Sequence, residues 1–143
     1  MISHICLGTR DLDRARAFYT AVTAPLGLVE WPVEEDGGPP MFCWHLPGRN
    51  LPRLYVVQPF DDRPATAGNG TMVALVAPNR AAVDAAHAAG LAHGGCDAGA
   101  PGLRAHYADD YYGAYLWDPD GNKLHFVHRP GLLAEMGLAP VPE

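Results

Sequence analysis

The stretch Trp117-Asp118-Pro119-Asp120-Gly121-Asn122-Lys123 contains a tight turn between two segments that are rich in β-forming residues. Pro119 presets its backbone φ angle, Gly121 tolerates a left-handed conformation, and the Asp and Asn side chains can hydrogen-bond to nearby backbone groups. The flanking segments, 111–117 and 123–128, favour strands. The sequence therefore predicts a β-hairpin in the last third of the chain.

A strand followed by a helix precedes this hairpin, and the same unit occurs earlier in the chain. Residues 71–76 and 3–8 are short apolar segments, and Asn79 and Asp11 follow them at equivalent places, 68 residues apart. Either side chain can accept hydrogen bonds from free N–H groups in the first turn of a helix. This spacing indicates an internal repeat, with two unrelated strand–helix units as the alternative.

Further candidate strands follow each predicted helix, and Gly27 and Gly90 are expected to end the two helices. These strands lie at 28–33, 41–46 and 54–58 in the first half, and at 92–98, 111–117 and 123–128 in the second. The predicted fold is α+β, with two βαβββ modules forming curved mixed sheets around a cavity. We expect a single domain over residues 1–143, with half-modules at about 1–60 and 68–129 and a C-terminal tail at 130–143.

The composition excludes several functional classes. The net charge is −6 and Lys and Arg do not cluster, which argues against nucleic acid or an anionic membrane as a partner. No apolar run approaches the roughly 20 residues of a membrane-spanning helix, and no signal peptide is visible at the N-terminus. Three widely spaced cysteines without a CxxC pair suit a reduced, cytoplasmic protein.

Taken together, these segments resemble the glyoxalase/bleomycin-resistance/dioxygenase superfamily, whose members are also called vicinal oxygen chelate proteins. The resemblance lies in the strand Ser3–Ile5 followed by Asp11–Tyr19, in Gly68–Thr71, and in the turn within 117–123, and it extends from His4 to His128. The superfamily includes lyases, isomerases, dioxygenases and drug-binding proteins, so it implies the fold more specifically than the activity. It also implies a homodimer.

The resemblance further implies a metal site with one ligand position on each of four strands. In this chain those positions are His4, Tyr55, Met72 and His125. Two imidazoles suit a divalent ion such as Fe, Zn, Ni or Mn, whereas a thioether is a poor ligand for these ions and a better one for Cu(I). The alternatives are a divalent metal on His4 and His125, Cu(I) on these two with Met72, or a cavity without a metal.

A polar and aromatic segment at residues 104–112 is the second candidate for function. His106 is a candidate acid or base near neutral pH, and Tyr111 is a second candidate catalytic residue. Arg104 can hold a carboxylate or phosphate with two hydrogen bonds, and Tyr112 can stack on a ring. The alternative is a solvated loop whose tyrosines pack against the sheet.

Strand alternation places Phe42 and Trp44 on one face of the third strand, and Cys43 and His45 on the other. One face is expected to line the cavity as an aromatic ligand pocket, with Trp44 as a ligand contact, and the alternative is a sheet face that packs on a helix. Three further expectations concern side-chain burial: a buried Cys6, and surface positions for His87 and His93. The predicted substrate-binding residues are Trp44, Tyr55, Arg104 and Tyr112.

The sequence thus predicts a cytoplasmic protein that binds a small organic molecule. In its enzymatic form it is a metal-assisted lyase or isomerase, in which His4 and His125 hold the metal and His106 or Tyr111 moves a proton. The alternatives are a non-catalytic protein that sequesters an aromatic or drug-like compound, and a copper-binding protein that uses His4, Met72 and His125. Glyoxalase I activity itself is disfavoured because the expected carboxylate ligands are missing.

Overall fold

The structure, a computed structural model, describes residues 2–35 and 37–138. The first module contains β1 (His4–Gly8), α1 (Leu12–Thr23), a short 3₁₀ helix (Ala24–Leu26), β2 (Val29–Trp31), β3 (Met41–His45) and β4 (Arg53–Val57). The second contains β5 (Met72–Val76), α2 (Arg80–Ala92), β6 (Cys96–Leu103), β7 (Tyr112–Trp117) and β8 (Lys123–His128), and α3 (Pro130–Glu135) follows. Residues 139–143 of the predicted tail lie outside the described residues. None of the described helices is both long enough and apolar enough to span a bilayer.

Each module forms its own four-stranded mixed sheet. The strand orders are β1-β4-β3-β2 and β5-β8-β7-β6, and the first pair in each sheet is parallel. The registers are equivalent, because β1 meets β4 with Cys6 opposite Tyr55 and β5 meets β8 with Ala74 opposite His125. The α+β class and the two βαβββ modules are therefore confirmed.

Both helices begin at the residues that the sequence indicated. The Oδ1 atom of Asp11 accepts a 3.0 Å hydrogen bond from the backbone N–H of Arg14, and Oδ1 of Asn79 accepts a 2.8 Å bond from that of Ala82. These side chains satisfy N–H groups that have no partner within the helix. We expected Gly27 to end the first helix, but α1 itself ends at Thr23. Gly27, whose φ of 81° is left-handed, ends the 3₁₀ helix that follows.

The prediction that Gly90 ends the second helix is wrong, because α2 continues to Ala92. A Cβ atom at position 90 would overlap Cδ2 of Leu116 on β7 and would lie 3.2 Å from Cγ1 of Val22 on α1. Gly90 therefore permits close contact of α2 with β7 and with α1. Its role is packing rather than helix termination.

One hydrophobic core joins the two modules. It contains completely buried residues from the inner faces of both sheets, among them Val56 and Trp44 from the first and Leu124 and Phe126 from the second. Helices α1 and α2 pack against each other and against the strands of their own modules. Because the inner faces share this core, the outer faces of the sheets point away from it. The described residues of one chain form no closed barrel, and each sheet has one open face.

The turn between β7 and β8 connects the second module to the first. Oδ1 of Asp118 accepts hydrogen bonds from the backbone N–H groups of Asp120 (2.9 Å) and Asn122 (2.7 Å). The side chains of Asp120 and Asn122 reach the end of β1, where they bind the Thr9 hydroxyl (2.6 Å) and the Gly8 carbonyl (3.0 Å). The predicted turn is confirmed, and it also fixes the relative position of the modules.

Candidate functional site

The four expected metal-ligand positions lie on the outer faces of the sheets, in two separate pairs. On the first sheet the rings of His4 and Tyr55 make an edge-to-face contact, with centroids 5.6 Å apart. On the second sheet Met72 and His125 lie on the same face of the paired strands β5 and β8. Met72 is opposite Lys123, two residues before His125. Within the described residues, no three His, Cys, Asp or Glu side chains come close enough together to hold a metal ion.

The surroundings of these side chains decide whether they suit a divalent ion. His4 is exposed and its Nδ1 atom lies 2.9 Å from the Ser3 hydroxyl, while Met72 is 43% exposed. Each sheet supplies one imidazole, with a phenol beside it on the first sheet and a thioether on the second. Divalent ions prefer carboxylate oxygens and further imidazole nitrogens as ligands. The side chains of a single chain therefore do not fit the metal that the resemblance implies.

His125 is buried beneath the outer face of the second sheet, with 2% exposure. The Tyr115 ring stacks on it at 4.3 Å and the Tyr111 ring at 5.8 Å. Its Nε2 atom has no hydrogen-bond partner among the described residues, and a Cβ atom at Gly113 would lie 2.6 Å from this nitrogen. The absence of a side chain at Gly113 therefore makes room for the imidazole.

The same burial, together with the positive charges of Arg104 and Lys123, lowers the pKa of His125 to about 4. Moving an imidazolium from water into a buried site is unfavourable, and nearby cations add to this cost. The imidazole is therefore neutral at physiological pH. Its Nε2 atom lies against Gly113 rather than at the open surface.

Two cations flank the Tyr115 ring. The guanidinium carbon of Arg104 lies 5.7 Å from the ring centroid, and the Lys123 ammonium lies 5.3 Å from it and 5.2 Å from the centroid of Trp117. Among the described residues, neither cation forms a salt bridge with an acidic side chain. The outer face of the second sheet is therefore locally positive on a protein whose net charge is −6.

The segment between β6 and β7 adds further rings to this face. The Tyr107 ring lies 5.1 Å from that of Tyr111 and 4.1 Å from that of His106. Burial and a hydrogen bond with Tyr107 raise the pKa of Tyr115, so the Tyr115 hydroxyl stays protonated and can donate a hydrogen bond at neutral pH. Tyr107 is 60% exposed and Trp117 is 38% exposed, which leaves both rings accessible.

The family model described as "Glyoxalase/Bleomycin resistance protein/Dioxygenase superfamily" matches residues 1–126. The chain belongs to this superfamily. A solved glyoxalase/bleomycin resistance protein from Albidiferax ferrireducens T118 is 36% identical, with a TM-score of 0.76 over 91% of this chain and 99% of that one.

More distant superfamily structures show the fold alone. A lactoylglutathione lyase from Agrobacterium tumefaciens is 21% identical, with a TM-score of 0.57 over 92% of this chain and 95% of that one. A glyoxalase-related enzyme from Fulvimarina pelagi is 19% identical, with a TM-score of 0.65 over 91% and 88%. The comparison with curated proteins finds no match.

Two residues that we expected to contact a ligand face the helices of the superfamily fold instead. Trp44 is completely buried, with its ring 5.6 Å from that of Tyr19 on α1. The hydroxyl of Tyr112 donates a 2.7 Å hydrogen bond to Asp84 on α2. These placements correct the prediction that Trp44 and Tyr112 line the site, because strand alternation identifies two faces without showing which one the helix covers.

The other predicted site residues lie on the outer faces, but not all on the same sheet. Arg104, His106 and Tyr111 lie in the segment between β6 and β7, beside His125 of the second sheet. Tyr55 is on the first sheet beside His4, and its hydroxyl accepts a 3.2 Å hydrogen bond from Arg53. The structure therefore brings together the predicted cation, acid–base candidate and tyrosine, and separates them from Tyr55.

Two burial expectations are also corrected. Cys6 is exposed, because it shares the outer face of β1 with His4 rather than the inner face with Leu7. His87 is buried, and its Nε2 atom lies 2.8 Å from Oδ1 of Asp97 on β6. His93 is exposed, as predicted.

Sequence reasoning missed four residues of the second sheet's outer face. Gly113, Tyr115 and Trp117 alternate along β7, which is the spacing of one strand face, and Lys123 lies opposite Trp117 on β8. The signal available was the pair of rings Tyr115 and Trp117, two residues apart on β7, followed by a lysine at the start of β8. The fourth, Tyr107, lies in an irregular segment where no periodicity applies. The missed residues are Tyr107, Tyr115, Trp117 and Lys123.

Proposed function

We propose that the chain binds a small aromatic molecule on the outer face of its second sheet, without a resident metal ion. The observation that carries this proposal is the concentration of rings on that face, where accessible Tyr107 and Trp117 adjoin Tyr111 and Tyr115. Aromatic side chains that stay accessible together are typical of ligand-binding surfaces. His106 and Tyr111, the candidate acid–base residues, then serve as ligand contacts.

The donor set supports this proposal over the two metal-dependent alternatives. A metal-assisted lyase or isomerase needs His4 and His125 on one ion, but within one chain these residues belong to different sheets whose open faces point away from a shared core. Copper binding needs Met72 and Nε2 of His125 directed to one point, yet that nitrogen adjoins Gly113. The binding of an organic molecule requires neither arrangement.

We further infer a cytoplasmic homodimer. The outer face of the first sheet carries exposed apolar side chains that a second copy would cover, including Val29 (46% exposed) and Trp31 (39%), which leaves the second sheet open to a ligand. Burial of such surface is the main favourable contribution to association. Three free cysteines suit a reducing compartment.

Elemental analysis and a screen of aromatic compounds test the proposal together. Protein purified without chelator should contain much less than one metal ion per chain, and aromatic compounds of one or two rings should shift the NMR signal of the Trp117 indole. Tyr115→Leu should abolish these shifts, whereas Tyr55→Leu, the same change on the first sheet, should not. Chelator should leave binding unchanged.

Two results would overturn the proposal that the chain binds an aromatic molecule without a resident metal ion. One metal ion per chain that is lost in His125→Ala would favour the metal-assisted alternative, and its additional loss in Met72→Leu would favour copper binding. Failure of every compound to perturb Trp117 would exclude aromatic binding at this face. Light scattering tests the dimer separately, since a mass near that of one 15.3 kDa chain would contradict it.

A further inference from the structure

We propose that the ligand carries a carboxylate next to its aromatic ring, and that this carboxylate binds between Arg104 and Lys123. This inference rests on the proposed binding of an aromatic molecule to the same face and specifies the chemistry of that molecule. It is carried by the position of two cations around one ring and by the absence, among the described residues, of an acidic partner for either.

The shared Tyr115 ring, rather than the lack of an acidic partner alone, distinguishes Arg104 and Lys123. Among the described residues, Arg49, Arg53 and Arg80 also form no salt bridge. The chain has 16 acidic and 10 basic residues, so acidic partners are in excess. Five arginines use them, since Arg10 and Arg14 bind Asp120, Arg16 binds Glu30, Arg63 binds Asp61, and Arg129 binds Asp110. Arg104 and Lys123 instead lie within 6 Å of the same ring centroid without a countercharge. Two neighbouring like charges repel each other, and an anion that bridges them relieves this repulsion.

Arg104 is held in place for such a contact. Its guanidinium donates a 2.7 Å hydrogen bond to the Ala100 carbonyl and a 3.4 Å bond to that of Leu103. A Cβ atom at Gly102 would lie 3.1 Å from its Nη1 atom, so the missing side chain lets the guanidinium lie against β6. A guanidinium has five N–H donors, and those not used on the main chain can bind a carboxylate in the two-bond geometry that arginine favours.

Lys123 places the second charge beside the accessible rings. Its ammonium lies 5.3 Å from the Tyr115 centroid and 5.2 Å from that of Trp117, and Met72 is its partner across the β5–β8 pair. When the carboxylate binds there, the aromatic ring of the ligand can stack on Trp117. The exposed Met72 side chain then provides an apolar contact. The face therefore matches a molecule with a planar apolar part and an adjacent negative charge.

Three probes of the same shape and different charge test the inference: 2-naphthoate, neutral 2-naphthamide and cationic 2-naphthylmethylamine. We expect naphthoate to bind about tenfold more tightly than the amide, the range of a charge-assisted hydrogen bond, and the amine to bind most weakly. Titrations that follow tryptophan fluorescence at low and high salt measure this. Added salt should weaken the binding of naphthoate and leave that of the amide nearly unchanged.

Variants locate the effect. Arg104→Met and Lys123→Met keep much of each side chain's apolar length, so each should lower the affinity for naphthoate about tenfold and leave that for the amide within about twofold. Unchanged binding of the amide also shows that each variant is folded. Arg53→Met is the matched control, because Arg53 lies over the Trp31 ring on the first sheet at 5.4 Å and should not affect either probe.

The outcomes separate this inference from the proposed function. Equal affinities for naphthoate and the amide, with both lost in Tyr115→Leu, would overturn the selection of an anion and leave aromatic binding intact. A preference for naphthoate that persists in both Met variants would overturn the assignment to Arg104 and Lys123. Failure of all three probes to bind would contradict the proposed function itself.

Discussion

The hydroxyl of Tyr19, on α1 of the first module, donates a 2.7 Å hydrogen bond to Oδ2 of Asp118, in the last turn of the second module. Both residues are buried, with 0% and 4% exposure. Burial and the charge of Asp118 raise the pKa of Tyr19 well above its usual range, so Tyr19 remains a donor. One buried bond thus joins the helix of one module to the turn that holds the hairpin of the other.

Replacement of Tyr19 with Phe should lower the free energy of unfolding by about 1.5–3 kcal/mol, because it removes a hydrogen bond to a buried carboxylate. Urea denaturation measures this change. Tyr55→Phe, which removes a hydroxyl from the half-buried outer face of the first sheet, should cost at most about 1 kcal/mol. Equal losses in the two variants would show that the bond to Asp118 contributes no more than an ordinary surface bond.

Asp120 should make folding sensitive to acid. Burial disfavours its ionisation, but hydrogen bonds from Thr9 and Arg10 and the charge of Arg14 outweigh that effect and lower its pKa. Since the folded-state pKa is below the unfolded value of about 3.9, the stabilisation is present above that value and disappears as the pH falls through the folded-state pKa.

Asp120→Asn should therefore lower the free energy of unfolding by about 1–3 kcal/mol at pH 7, and the difference from the parent should shrink below pH about 4. Urea denaturation across this pH range tests both parts. Asp61→Asn is the control, because the Asp61 side chain is 59% exposed and 3.7 Å from Arg63. A difference for Asp120→Asn that does not change with pH would exclude ionisation as its cause.

His125 should oppose folding in mildly acidic solution. Its pKa is lowered to about 4 in the folded protein, against about 6.5 in an unfolded chain. Between these values the unfolded chain takes up the proton and the folded chain does not, so stability falls as the pH drops from about 6.5 towards 4. The full effect is on the order of 3 kcal/mol.

NMR titration of the His125 imidazole checks the folded-state pKa directly, with His125→Gln used to assign its signal. In denaturation experiments at pH 7.5 and pH 5, the parent should lose about 2 kcal/mol more stability than His125→Gln on acidification. A midpoint near 6.5 in the folded protein would mean that burial and the neighbouring cations have no net influence on this imidazole.

Gly90→Ala should destabilise the protein, although alanine is the better helix former by about 1 kcal/mol. The new Cβ atom would overlap Cδ2 of Leu116, and such overpacking typically costs about 1–3 kcal/mol. Thermal unfolding compares this variant with Gly131→Ala in α3, where a Cβ atom would meet no other atom within 4 Å. Gly131→Ala should be neutral or stabilising, and the same outcome for Gly90→Ala would contradict the packing role of Gly90.

Local chemistry made much of the fold predictable from the sequence. Asp11 and Asn79 cap helices because their side chains satisfy nearby N–H groups, and the 117–123 turn requires the conformations that Pro119 and Gly121 adopt readily. Gly90 was misassigned because the close approach of Leu116 depends on tertiary packing, which leaves no trace in the local sequence.

The candidate site was less predictable, because it depends on which face of each strand the helices cover. Tyr112 and Tyr115 are equally aromatic, yet Tyr112 reaches Asp84 on α2 while Tyr115 stacks on His125. Trp44 is likewise a residue type that often contacts ligands, but its position is in the core. The positive character of the face depends on Arg104 and Lys123, which are 19 residues apart in the sequence and meet only through the pairing of β6, β7 and β8.

The two modules differ most at their edge strands β2 and β6. The modules keep the same register where β1 meets β4 and where β5 meets β8, but β2 has three residues while β6 has eight, with register shifts around Gly99 and Gly102. In both modules the parallel pairs β1–β4 and β5–β8 contribute inner-face residues to the common core. The eight-residue β6 leads directly into Arg104, whereas the three-residue β2 leads into Pro32. The longer edge strand therefore gives the second sheet a cation that the first sheet lacks at the equivalent end.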